Sequence, residues 1–172
     1  MDSWLGHAAG SLAMMLPIGG VLAYRTQRSW GKAAAFLAVF ASVWVVLGAA
    51  LGAFGQQAEG LGNVAAAVAL AGAGGWQFTA RHADAVHACG VSGERGWRDG
   101  VLCARHCLVA CGPLMAAMAV AGLHTTAVMV GFAAALVVQF TGRLTATAWA
   151  MGCVLTVAAI AVLFTGHGPL GW

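Results

Sequence analysis

Five sulfur side chains fall on one face of a single helical stretch: Cys103, Cys107, Cys111, Met115 and Met118, at spacings of four, four, four and three. On an α-helix those offsets stay within about a third of the circumference and run about 22 Å along the axis, most of a bilayer's hydrocarbon depth. His106 flanks the same face. Hard cations demand oxygen ligands, which this stripe does not offer, whereas Cu(I) takes thiolate and thioether sulfur readily. Cysteine and methionine are also ordinary packing residues, so the ladder taken alone reads as helix core too.

The polar stretch just before the ladder adds His82, His87 and Cys89. With Cys103, His106, Cys107 and Cys111 they make seven potential ligands within about 30 residues, gathered toward one end of the helix. No C-x-x-C is present, so the spacing matches neither a zinc ribbon nor a ferredoxin run. Cys89, Cys103, Cys107 and Cys111 are the leading ligand candidates, His106 and Met115 come next, and Met118, His82 and His87 complete the set. Copper is the expected metal, with zinc as the alternative. Other soft residues lie elsewhere: Met14 and Met15 before Pro17, Met129, Met151 and Cys153. With His7, His124 and His167 they would trace histidines outside, methionines at mid-membrane and cysteines inside, if their helices pack together. Packing or interface anchoring accounts for each of them singly.

These residues must be positioned by membrane helices. The chain of 172 residues is 61% hydrophobic and 8% charged, against about one quarter charged in soluble proteins. Runs long enough to cross a bilayer occur at 4–24, 33–55, 61–80, 102–123, 125–140 and 145–164. The expected fold is all-α, a single domain over 1–172 with six transmembrane helices, a polar cytoplasmic loop at 81–100, and a tight hairpin around Gly122 and His124. Arg25, Arg28 and Lys32, then Arg81, Arg95, Arg98 and Arg105, then Arg143 all fall on one side of that arrangement. The positive-inside rule makes that side cytoplasmic and both termini extracytoplasmic. Met1-Asp2-Ser3 supplies no positive region of a removable signal peptide, so the first span is expected to be retained. Gly6-x-x-x-Gly10 and Gly48-x-x-x-Gly52 read as close helix crossings. Ser42, Gln77, Thr79, Gln139 and Thr156 are expected to hydrogen-bond between helices.

Several function classes drop out. No Asp or Glu lies in any apolar run, where a proton-coupled carrier would need one. Carboxylate pairs for acid and base work, serine nucleophiles in register with a base, and H-E-x-x-H are missing, so no catalytic residue is assigned. The net charge of +3 reflects topology, and nucleic-acid binding is not expected. A structural disulfide is not expected on a reducing cytoplasmic face.

Ala13-Met14-Met15-Leu16-Pro17, Trp76-Gln77-x-Thr79, Cys89 and Cys107-x-x-x-Cys111-x-x-Leu114-Met115 together resemble a family of bacterial integral membrane proteins held to bind metal, domain of unknown function 2182. The resemblance covers most of the chain and implies a metal site built from the cysteines. The chain is a divergent member. His82 stands at the family's lysine, Ala85 at its first loop cysteine, Ala110 at the first of its paired cysteines and Gly112 at its tryptophan. Val138-Gln139 replaces its acid-lysine pair.

The expected function is a multi-pass protein of the bacterial plasma (inner) membrane that binds a soft transition metal, Cu(I), in metal handling or delivery. The competing expectation is a structural or accessory subunit of a larger membrane enzyme complex, such as a copper-dependent membrane oxidase or monooxygenase, without its own catalytic site. Both give the chain a lipid bilayer and other membrane subunits as partners. A Met pair near proline in each of spans one and four also hints at an inverted repeat and transport.

Overall fold

A computed structural model describes residues 3–58, 62–89, 96–123, 126–142 and 145–165, all of them helical or in turns between helices. In chain order the helices are α1 Ser3–Thr26, α2 Trp30–Ala58, α3 Gly62–Gln77, α4 Ala80–Cys89, α5 Trp97–Val120, α6 Thr126–Gly142 and α7 Thr145–Thr165. The fold is all-α, and a helix stands at each of the six apolar runs. Four of them contain stretches long and apolar enough to cross a membrane: Ala8–Thr26, Trp30–Gly55, Trp97–Val120 and Ala146–Phe164. The apolar part of α6 is shorter, Ala127–Phe140, and α3 has 16 residues, below the about 20 that a perpendicular crossing takes. His124 and His167, the expected outer-face histidines after the fourth and sixth runs, lie outside the described residues, as does the side chain of His7.

The expected loop 81–100 begins instead as α4. Its start is set by Thr79, whose hydroxyl accepts the His82 backbone N–H at 3.2 Å, so the third helical donor is satisfied before any carbonyl is in reach. His82, Ala85 and Cys89 then fall on one face at spacings of three and four, and all three are buried. Helix α4 packs on α5, Cys89 meeting Cys103 there while His82 meets Gln139 of α6. At the far side, α5 begins at Trp97, five residues before the apolar run, with Asp99 in its first turn, where a carboxylate faces the positive end of the helix dipole. Gln27, just past α1, donates from Nε2 to Asp99 Oδ2 at 3.1 Å and ties the two helix ends together.

Helix α5 is central, packing on α2, α3 and α4, while α1 packs on α2 and α6, and α3 on α7. Missing side chains set these crossings. A Cβ on Gly100 would stand 2.7 Å from the Phe36 carbonyl oxygen of α2, and one on Gly74 would stand 2.9 Å from the Gly152 carbonyl oxygen of α7. Close backbone approach of this kind is how small residues join apolar helices. Phe36, Phe40 and Trp44, one turn apart on α2, form a buried aromatic row with ring centroids 5.9 and 6.1 Å apart. Of the expected small-residue pairs, Gly48 and Gly52 are buried and Gly10 abuts Met129. A Cβ on Gly6 would meet nothing.

The small polar residues mostly serve their own helices. Ser42 and Thr156 each donate to the carbonyl four residues back, at 2.7 and 2.8 Å, and Thr79 caps α4. Gln139 is the one of the five with an interhelical side-chain bond among the described residues. Helix α5 ends in a Schellman turn: Leu123 N–H reaches the Met118 carbonyl at 3.0 Å, with Gly122 at φ 66° supplying the left-handed residue that turn requires.

One interhelical bond has a covalent cause. Pro113, inside α5, has no N–H, so the Val109 carbonyl four residues earlier loses its helical partner. The Trp76 indole of α3 donates to that carbonyl at 2.9 Å. Trp76→Phe keeps the ring and removes the bond, which costs about 0.5–1.5 kcal/mol. We expect a matching fall in thermal stability in detergent, and no fall in a Trp76→Phe, Pro113→Ala double variant, where the backbone N–H returns.

Candidate metal centre

Three buried cysteines meet where α4 ends against the first half of α5. The sulfurs of Cys89, Cys103 and Cys107 all lie within 4.8 Å of one another. Cys107 Sγ is 3.1 Å from Cys89 Sγ and 3.9 Å from Cys103 Sγ, and Cys89 and Cys103 are joined as a disulfide. That pairing departs from the expectation of free thiols on this face. Its reason is local: α4 delivers Cys89 onto the same stripe of α5 that carries Cys103.

The local sequence explains the convergence. Cys103 and Cys107 are one turn apart, so their sulfurs stack on one helix face. Cys89 is the last residue of α4 and sits on that helix's buried face, where its packing on α5 places it beside them. All three are at most 5% exposed. A metal about 2.3 Å from three sulfurs in a trigonal plane holds them about 4 Å apart. Cys103 and Cys107 already stand at that separation, 3.9 Å, and reduction of the disulfide frees Cys89 to move out to it.

The other sequence candidates fall elsewhere. Cys111 is fully buried, one turn deeper on α5 and outside the three-sulfur group. His106 is half-buried on the flank of α5. Met115 and Met118 line a separate small cavity in the other half of the bundle. His82 and His87 line a third space, of about 350 Å³, between α3, α4, α6 and α7. Neither Cys111 nor any of the three histidines joins Cys89, Cys103 and Cys107 in a ligand group among the described residues.

His82 is 1% exposed and its Nε2 lies 3.2 Å from Gln139 Nε2 of α6. The Gln139 amide suits a neutral imidazole in either tautomer, its oxygen accepting from Nε2–H or its nitrogen donating to Nε2. Burial holds its pKa below the ordinary value. The unfolded chain therefore takes up the proton first, and the stabilisation is full above about pH 6.5 and is lost as pH falls below that value. Thermal midpoints should drop on acidification through this range, and His82→Gln should flatten the drop. Neither Gln77 nor Gln139 was a site candidate by sequence, yet both line this space. The only signal was their polarity inside apolar runs.

Basic side chains mark the end of the bundle that carries the cysteines: Arg25 in the last turn of α1, Arg28 after it, Lys32 opening α2, Arg81 in α4, Arg98 and Arg105 in α5. The three-sulfur cluster thus sits toward the basic end of the molecule.

A family model described as PpoB2, a copper chaperone, matches residues 4–162. The chain belongs to this copper chaperone family. The matched stretch takes in all three clustered cysteines, every other ligand candidate by sequence, and the helices that position them. Copper handling, expected from the ladder on α5, is what such a family implies. Searches of curated proteins and of solved structures return no match.

Proposed function

We propose that this chain is an integral membrane copper chaperone that holds Cu(I) on Cys89, Cys103 and Cys107 and delivers it to a copper-dependent client. The buried three-sulfur cluster carries this reading, in a chain of a copper chaperone family. Three thiolates favour Cu(I), which is content with soft ligands in low coordination, over Zn²⁺, which in structural sites takes four. An accessory subunit holding no ion would use these cysteines only for packing and the disulfide.

Membrane residence is supported by helices that are apolar around their whole circumference. Val46, Val157, Ile160 and Phe164 all face outward and are at least half exposed, a surface that lipid accepts and water does not. The basic end would face the cytoplasm of a bacterial inner membrane under the positive-inside rule. Copper would then be taken up at the cytoplasmic face, and both termini would lie across the membrane.

Loading requires the reduced cluster. A dithiol reductant exchanges with the Cys89–Cys103 disulfide, taking the S–S bond onto itself and leaving two thiols, and each thiol that ligates releases its proton to solvent. Reduced protein in mild detergent, titrated with Cu(I) under inert gas against a chromophoric chelator, should hold one tight equivalent at this site. Protein with the disulfide intact should not. Reduced protein that stays metal-free under Cu(I) loading, with all its thiols open to titration, would overturn the reading.

A further inference from the structure

Four of the chain's seven methionines line one cavity. It lies in the half of the bundle away from the cysteine cluster, has a volume of about 30 Å³, and is lined by Met14 of α1, Met115 and Met118 of α5 and Met129 of α6, with Ser11 and Leu51. Met14, Met115 and Met118 are at most 6% exposed. The space is about that of one water molecule, but a water would find one hydroxyl there and otherwise apolar walls. A thioether offers a soft lone pair and no charge. The cost of bringing an ion into such a place scales with the square of its charge, so a monovalent soft ion is tolerated where a divalent one is excluded.

The site also lies in line with the cluster. Cys107, Cys111, Met115 and Met118 follow one another on the same face of α5, each about 4.5–6 Å further along the axis, and Cys111 and Met115 are buried between the two ends of the row. Resting on the reading of the chain as a Cu(I) carrier, we propose that Met14, Met115, Met118 and Met129 form a second, weaker Cu(I) site. It is a relay station on a path that runs along α5 from the cysteines to the opposite end of the bundle. Neutral thioethers leave the ion's charge uncompensated, so the station binds loosely and hands copper on.

The fourth ligand is held by a missing side chain. A Cβ on Gly10 would stand 2.6 Å from Met129 Cε and 3.1 Å from its Sδ, so Gly10→Ala moves a flexible thioether without removing any sulfur.

The test uses selenomethionine-labelled protein, reduced and loaded with one and then two equivalents of Cu(I), and X-ray absorption at the selenium edge. A copper–selenium shell should appear with the second equivalent in wild type and persist in Cys107→Ser. It should be lost in Met115→Leu with Met118→Leu, a swap that nearly conserves volume, and weakened in Gly10→Ala. Copper bound by cysteine with no selenium shell at two equivalents would overturn the station and leave the cysteine reading standing. Protein that binds no copper at all would overturn both.

Discussion

Replacing Cys107 with serine is expected to lower Cu(I) affinity by about 100-fold or more while leaving the helices intact. Changes in groups that merely orient a ligand already cost about 10–100-fold, and Cys107 is itself the sulfur that touches both of the others, at 3.1 and 3.9 Å. Serine keeps the volume and replaces a soft donor with a hard one. Cys153→Ser is the control. That thiol is free and exposed on α7, and its loss should leave the chelator competition curve unmoved. Equal affinity in wild type and Cys107→Ser, with matching circular dichroism, would remove the cluster as the copper site.

The second large effect is structural. Gly100→Ala should destabilise the bundle by about 1–3 kcal/mol, because its methyl would meet the Phe36 backbone oxygen at 2.7 Å and that oxygen is fixed by α2. Gly112→Ala on the same helix should do the opposite. Its methyl would rest 3.8 Å from the Leu108 side chain, an ordinary contact, and alanine favours helix by about 0.5–1 kcal/mol over glycine. Thermal unfolding of the two variants in one detergent decides the matter: shifts of the same sign would contradict the crossing described for α2 and α5. Gly100→Ala should also weaken copper binding, since Cys103 stands one turn beyond it.

Apolar runs were enough to read six of the helices, because continuous hydrophobicity at that length has few other outcomes. Helix α4 was not legible as helix. It is short, its average hydrophobicity is near zero, and the signal that starts it is a single threonine cap. With α4 unread, Cys89 was a leading candidate by residue type and by the family resemblance, and nothing in the sequence showed what would bring it against Cys103 and Cys107. The ladder on α5 is one buried face. Five sulfurs share the stripe, but the neighbouring helices divide them, α4 meeting the cysteines while α1 and α6 bring methionines to Met115 and Met118. The positions where this chain departs from the resembling family were read one by one, as His82 and as Val138-Gln139. The fold sets His82 and Gln139 3.2 Å apart, so two separate departures are one neutral pair.

The Trp76 bond to the Val109 carbonyl links secondary structure to assembly. A helix with proline inside it carries an unpaired carbonyl oxygen, and in the proposed lipid setting no water is at hand to donate to it. Helix α5 by itself is therefore incomplete. It reaches its full complement of hydrogen bonds only when α3, made earlier on the chain, docks with its indole at one height. A slip of α3 by a single turn would carry the donor about 5 Å away and forfeit the bond. The proline thus makes folding of the bundle more cooperative, because the last hydrogen bond of its central helix is formed by a neighbour in the right register and by nothing else.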